Sequence, residues 1–321
     1  MGRVIRSVAL PLVMIVAACA TVVMAPQYPT QIQTHRPNAR VAVVGDVQRT
    51  GIVEVWRERN DVQRVALMRQ IRSERPDVLV TLGDHVFWGA SDSDWEYFDR
   101  LMKPIRDAKI PVFPILGNHE YFGSDADMLE HVKHRFPTFD STYYYKVIDS
   151  VAYVFLNTNY RDIGMKAMSD QRRWYLRTMI RLDHDPGVQF IIVFGHHPPF
   201  TNSTVVFDDD ILQSYFVPVF THSTKGAIWF SGHCHAYEHF YKDTKHFVVS
   251  GGGGGPRQHL LTGTLSQHDD MYDGEVLRPF HYCTVERVGN ILKFEMHPLH
   301  TEPDTPGDVF AVQRREVWRD L

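Results

Sequence analysis

Cysteine is scarce in this sequence, three in 321 residues. Cys19 lies in an N-terminal apolar stretch, and Cys234 and Cys283 are too few for a disulfide framework even in an oxidising compartment. A positive excess is lacking as well: 34 Lys and Arg stand against 38 Asp and Glu, a formal net charge of -4. That leaves no basic footprint and excludes nucleic-acid binding by charge alone. No internal repeat, low-complexity segment or GxSxG elbow occurs, which removes solenoids, linker-like chains and the serine-hydrolase turn. What remains is 44% hydrophobic and 22% charged, the balance of a soluble globular chain with one large α/β domain or two small ones. Histidine is plentiful at 18, and several follow directly on apolar runs.

The N-terminus reads as a targeting segment. Arg3 and Arg6 precede an apolar stretch from Val8 to Ala18 that ends in small residues, the order of an export signal. Val16-Ala17-Ala18-Cys19 also resembles the lipobox of bacterial lipoproteins, which implies that Cys19 carries a lipid and becomes the new N-terminus. Ordinary cleavage around Ala18-Cys19-Ala20 is a second reading. An uncleaved anchor is a third, opposed by Pro11 and by a run shorter than the roughly 20 residues of a membrane span. All three put the mature chain in the bacterial cell envelope, lipid-anchored or periplasmic, and the lipidated form touches the membrane only through that anchor. Residues 1–19 are thus the signal and 20–39, punctuated by Pro26, Pro29 and Pro37, a tether. Residues 40–300 form one domain and 301–321 a surface tail.

Within the domain, periodicity separates helices from strands. Helices are expected over 61–72 (Val62, Val65, Met68 and Ile71 on one face), 91–107 (Trp95, Phe98, Met102 and Ile105), 125–135 and 171–182 (Tyr175, Met179 and Leu182). Strands are expected over 41–44, 78–82, 110–116, 188–194, 227–230 and 247–249. Pro111 and Pro114 argue against a central place for the third. A hairpin spans 143–157 with its turn near Asp149-Ser150, and a second pairs 282–288 with 291–297 around Gly289-Asn290.

Five apolar runs end in glycine-led turns that carry ligand-type residues. They are Gly45-Asp46-Val47-Gln48, Gly83-Asp84-His85, Gly117-Asn118-His119-Glu120, Gly195-His196-His197 and Gly232-His233-Cys234-His235. Asp, Asn, Gln and His offer oxygen and nitrogen donors without thiolate clusters, a set that suits Mn, Fe, Zn or Co without choosing among them. Donors scattered from Asp46 to His235, each at a strand end, are what a site at a sheet edge requires; a zinc finger takes its ligands from one short segment.

In this order the motifs GD, GD, GNHE, GH and GHxH resemble those of the calcineurin-like metallophosphoesterases, over roughly Arg40 to His300. Gly195-His196-His197-Pro198-Pro199, His233-Cys234-His235-Ala236-Tyr237-Glu238 and the glycine run at 251–255 are most similar to the purple acid phosphatase branch. The serine/threonine protein phosphatases fit poorly, because Phe87-Trp88-Gly89 and Leu116 stand where they carry Asp-Arg-Gly and arginine. The resemblance implies an α/β fold, a four-layer αββα sandwich of two packed mixed sheets flanked by helices. It implies an enzyme that hydrolyses small-molecule phosphomonoesters or phosphodiesters through a hydroxide bridging two divalent ions (Mn, Fe or Zn). Asp84 would bridge the ions. Asp46 and His235, with Gln48 as a further candidate, would hold the first, and Asn118, His196 and His233 the second. His119 would protonate or stabilise the leaving oxygen.

Metal coordination can lower the pKa of water from about 15.7 to about 7. At about 1.36 kcal/mol per unit that is about 12 kcal/mol towards a nucleophile at neutral pH, which no lone carboxylate base supplies. Two positions depart from the purple enzymes. Phe87 replaces the tyrosine that binds ferric iron, and Gln48 replaces a histidine of many relatives. Loss of the tyrosinate is balanced if both ions are divalent. A nucleotide or sugar-phosphate diesterase with little monoesterase activity is an alternative, and so is a catalytically silent lipoprotein scaffold. His197 reads as a neighbour of the ligands, while His85, His239, His259 and Arg257 are candidates for substrate contact or ordinary surface and core positions. Asp208-Asp209-Asp210 reads as a solvated loop or helix start.

Overall fold

The computed structural model describes residues 25–32, 37–51, 54, 56–272, 274–299 and 306–314; the proposed signal and Cys19 lie outside them. In the first sheet β1 (Arg40–Val44), β2 (Val78–Thr81) and β3 (Val112–Pro114) run parallel. On the other side of β1 stand antiparallel β10 (His281–Val288), β11 (Ile291–Pro298) and β12 (Asp308–Gln313). The second sheet has the order β4 (Tyr144–Ile148), β5 (Val151–Phe155), β6 (Phe190–Phe194), β7 (Gly226–Ser231), β9 (Lys245–Ser250) and β8 (Tyr237–Lys242), with β5, β6, β7 and β9 parallel.

Strands buried on both faces read as continuous apolar runs rather than alternating ones. Along β1, Val41 and Val43 face the second sheet and pack among Phe155, Phe194, Phe230 and Phe294. Ala42 and Val44 face the opposite way, onto α1 (Asp61–Glu74), α2 (Asp92–Leu101), α3 (Lys103–Asp107) and α4 (Asp125–Arg135). The outer face of the second sheet is covered by α5 (Tyr160–His184), α6 (Asp210–Tyr215) and α7 (Val217–His222). Helices, two sheets and helices again make the αββα sandwich.

Both hairpins form with two-residue turns, Asp149 and Ser150 at positive φ in one and Gly289 in the other. Trp95, Phe98, Met102 and Ile105 are all fully buried, as are Tyr175, Met179 and Leu182. Ser91 caps α2 by accepting from Asp94 N, and Asp209 caps α6 by accepting from Leu212 N.

Four expectations need correction. Val62 and Val65 are exposed, because the inward face of α1 is Arg64, Leu67, Met68 and Ile71. A buried arginine there is invisible to apolar periodicity; its guanidinium is satisfied by Gln48 O, Gly254 O and Asp61. The third strand shrinks to Val112–Pro114 at a sheet edge, where its prolines leave no ladder partner wanting. Part of the expected tether is folded: Val112 N donates to Pro29 O at 2.7 Å, and Tyr28 is buried against Phe98 and Phe136. Part of the expected tail is β12, held where Asp308 accepts from Tyr237 Oη (2.7 Å) and pairs with His239 Nδ1 (2.8 Å) of β8. Because Tyr28 fills core volume, Tyr28→Ala is expected to destabilise the protein by about 3–5 kcal/mol. Urea unfolding measures this; an effect below about 1 kcal/mol would return residues 25–32 to the status of a loose lead-in.

Candidate metal centre

All five glycine-led turns leave the carboxyl ends of parallel strands, the place where open α/β sheets build their sites. Asp46 and Gln48 follow β1, Asp84 follows β2, and Asn118 and His119 follow β3. His196 follows β6, and His233 and His235 follow β7. Backbone bonds join neighbouring turns: Asp46 N to Gly83 O (3.2 Å), Gln48 N to Asp84 O (3.0 Å) and Gly232 N to His196 O (2.9 Å). Asp46 (φ 59°), Asp84 (φ 49°) and His233 (φ 65°) are all left-handed, at a cost on the order of 1–3 kcal/mol each. Gly83 adopts φ 85°, and a Cβ on Gly117 would overlap the Asp84 carboxylate. Both glycines are what let that carboxylate reach the centre.

The side chains meet in two groups that share one member. Asp84, His196 and His233 bring ligand atoms within 4.8 Å of one another, and so do Asp46, Asp84 and His235. Asn118 Oδ1 stands 3.0 Å from His196 Nε2, which puts the amide in the first group. His196 Nδ1 donates to Leu82 O and His235 Nδ1 to Pro256 O, both at 2.8 Å, so each Nε2 turns inward. His233 turns Nδ1 inward, 3.2 Å from His196 Nε2. The Gln48 amide is satisfied in one orientation: Nε2 donates to Asp46 O and Asp84 O (3.1 Å each) and Oε1 faces His235 Nε2 (3.2 Å). Its oxygen then joins the Asp84 carboxylate and the His235 ring, a gathering of lone pairs that a cation or a proton must relieve.

Without metal, protons do that work. Burial alone would lower the His196 pKa, but the Asp84 carboxylate overrides it and pushes His196 up to about 9. Burial likewise opposes charge on His235, and the Asp46 carboxylate raises it nonetheless. Burial works against the Asp84 charge too, yet His196 and His119 hold its pKa well below the carboxylate range. Burial raises Asp46. In the first group the His196 Nε2–H thus occupies the place of a ligand lone pair. A cation must displace that proton, so affinity is expected to rise with pH below about 9, by about tenfold per unit. Zinc titrations of chelator-stripped protein between pH 6.5 and 8.5 check the slope; a flat profile would contradict the displacement.

Other polar groups brace this arrangement. Glu120 accepts from Asp84 N (2.9 Å), His85 N (2.7 Å) and Gly117 N (2.6 Å), bolting two ligand turns together. Thr158 Oγ1 accepts from His196 N (3.2 Å) and His197 N (3.0 Å) and meets His197 Nδ1 at 2.8 Å. Sequence reasoning assigned neither. Glu120 is visible as the acidic end of the GNHE turn, whereas nothing local marks Thr158. His197 lies against the His233 ring (4.5 Å between centroids), and burial drives its pKa down to about 3, leaving it neutral. His85 is buried between Thr81 and Glu120. His239 bonds Asp308 and His246 at the sheet edge, and His259 is exposed on a lone bridge to Leu277. Arg257 is engaged by Glu58 at 2.8 Å. Cys234 and Cys283 are buried free thiols. The glycine run backs the centre, with Gly253 N bonded to Gly45 O and Gly255 N to Asp46 O.

Residues 39–237 match the family described as calcineurin-like phosphoesterase, more than half of the chain. The chain belongs to that family. No curated protein matches it. Among solved structures, GAP50, the anchor in the inner membrane complex of Plasmodium, is 14% identical over 88% of this chain and 90% of its own, with a TM-score of 0.66. The purple acid phosphatase PPD1 of yellow lupin is 16% identical, covering 90% of this chain and 55% of its own, with a TM-score of 0.67. A dimetal phosphatase from Danio rerio is 14% identical over 87% and 100%, with a TM-score of 0.58. At these identities the likeness shows the fold alone. This calcineurin-like phosphoesterase carries the two Asp/His groups on that fold, as candidate metal-binding clusters.

Proposed function

We propose that the chain is an exported metal-dependent phosphoesterase that hydrolyses small phosphomonoesters or phosphodiesters. The observation that carries this reading is Asp84, one buried carboxylate shared by both donor groups. Its fold neighbours include an anchor as well as phosphatases, so the fold alone does not decide, and function must be argued from the site. A pure scaffold has no use for two converging donor groups with an imidazole beside them.

Asp46, Gln48, Asp84 and His235 would hold one divalent ion, and Asn118, Asp84, His196 and His233 the other. When bound, such a pair polarises the phosphoryl oxygens and makes water acidic enough to act as nucleophile. The rest is the work of the chain. His119 Nδ1 meets Phe87 O at 2.8 Å, and Nε2 lies 3.9 Å from Asp84 Oδ2, so a proton carried on Nε2 points into the centre. From there it can pass to the departing oxygen. His119 N donates to Asp84 Oδ1 at 3.0 Å, tying the acid to the shared carboxylate.

Turnover of p-nitrophenyl phosphate and bis-p-nitrophenyl phosphate with added Mn, Zn or Fe, against a chelator control, tests the proposal. Metal-bound protein that turns over neither ester would leave the scaffold standing. Preference for the diester would favour the nucleotide or sugar-phosphate diesterase. At Phe87 the position of the purple enzymes' tyrosinate is filled by a ring 5.1 Å from His119. The pure protein is accordingly expected to be colourless, and a tyrosinate–iron band in its visible spectrum would overturn the divalent assignment. Export follows from the N-terminal sequence; labelling with a radioactive fatty acid that survives Cys19→Ala would count against lipidation there.

A further inference from the structure

Beside His119 the surface is aromatic and rigidly held. The Phe122 ring lies 4.7 Å from the His119 ring, and Trp88 lies 5.7 Å beyond Phe122. Trp88 is 47% exposed and Phe122 37%, large apolar areas for side chains lining a polar centre. Their backbones are not loose. Gly89 N donates to His119 O (3.0 Å) and Ala90 N to Phe122 O (3.2 Å), joining the two turns. Trp88 N donates to buried Asp94 (3.0 Å), whose other oxygen takes Arg49 Nε (2.7 Å), and Trp95 Nε1 donates to Gly89 O (2.7 Å). Close approach of the turns at Gly123, where a Cβ would meet Trp88 Nε1 at 2.7 Å, keeps the indole against this rim.

We propose that Trp88 and Phe122 form the subsite for the leaving group, and that the esters cleaved carry a planar aromatic group there, a nucleobase or an aryl ring. This rests on the phosphoesterase reading, in which His119 faces the departing oxygen. Whatever that oxygen belongs to then leaves past His119, whose ring is flanked by Phe122 and Phe87, with the more exposed Trp88 beyond Phe122. Exposed aromatic rings on a fixed backbone offer π-faces at little entropic cost, and they stack on flat rings more strongly than on polyols. The adjoining backbone N–H groups bond within the rim, so the subsite selects by shape and π-contact more than by hydrogen bonding.

The test uses metal-loaded protein and four esters: adenosine 5′-monophosphate, phenyl phosphate, ribose 5-phosphate and glycerol 3-phosphate. The ratio of kcat/KM for adenosine 5′-monophosphate over ribose 5-phosphate is expected to be high. It should fall about tenfold or more in Trp88→Ala and Phe122→Ala, chiefly through KM, and Trp88→Phe should retain most of it where Trp88→Leu does not. Phenyl phosphate over glycerol 3-phosphate separates an aryl pocket from a nucleobase pocket by which ratio moves further. Quenching of tryptophan fluorescence by adenosine, taken as the difference between wild type and Trp88→Ala, reads the subsite without turnover. Trp88-dependent quenching with no hydrolysis of any ester would uphold the subsite and sink the hydrolase reading. Unchanged ratios in both alanine variants, or planar and non-planar esters weakened alike, would overturn the proposal.

Discussion

Asp84→Ala is expected to give a folded protein with less than one bound ion per chain and no detectable phosphoesterase activity. The loss should be at least about 10⁴-fold, a third to a half of the water activation at stake. Two contributions add. Both donor groups lose their common member, and His119 N loses its acceptor at 3.0 Å. The second effect alone costs about 1–3 kcal/mol, so Asp84→Asn is the companion variant: it keeps an acceptor for His119 N and removes the charge. Metal content by atomic absorption, read together with rates for the same preparation, separates binding from folding. Near wild-type activity in either variant would end the two-ion proposal.

His119→Ala should behave differently. No donor group is lost, so two ions should still bind, while turnover falls by about 10²–10⁴. The loss is expected to grow with the pKa of the leaving group. A p-nitrophenolate departs with little help, whereas an alkoxide needs a proton at the moment of cleavage. A plot of log kcat against leaving-group pKa should therefore be shallow for the wild type and steep for the variant. Parallel lines would show that His119 orients the ester and does not protonate it.

Most strands and helices were legible from periodicity, since doubly buried strands give unbroken apolar runs and α2 and α5 carry clear stripes, whereas the order of the four layers came from the family resemblance. The donors were legible because each sits where a glycine ends such a run. What escaped has physical reasons. β8 holds Tyr237, His239 and Tyr241 among mixed neighbours, and its two-residue turn uses Asp243 and Thr244 at positive φ rather than a glycine. β12 alternates half-exposed and exposed residues, so its strand character comes from the ladder with β11 and from Asp308, not from hydrophobicity. Arg64 takes a core position through four hydrogen-bonding partners, Tyr97, Gln48, Gly254 and Asp61, that lie up to 190 residues away in sequence. The amide orientation at Gln48 was beyond any local pattern, since it depends on two backbone oxygens and a ring meeting in space.

The pairing of β1 with β10 reaches further than sheet order. Val41 meets Val285 and Val43 meets Cys283, so the strand that launches Asp46 acquires its second neighbour only from the last fifth of the polypeptide. A ribosome-bound fragment lacking that segment leaves an open edge in the middle of its future core. Contacts of such sequence separation slow folding, and this one cannot form before β10 has been made, a timing that suits a chain proposed to be threaded through a translocon before it collapses.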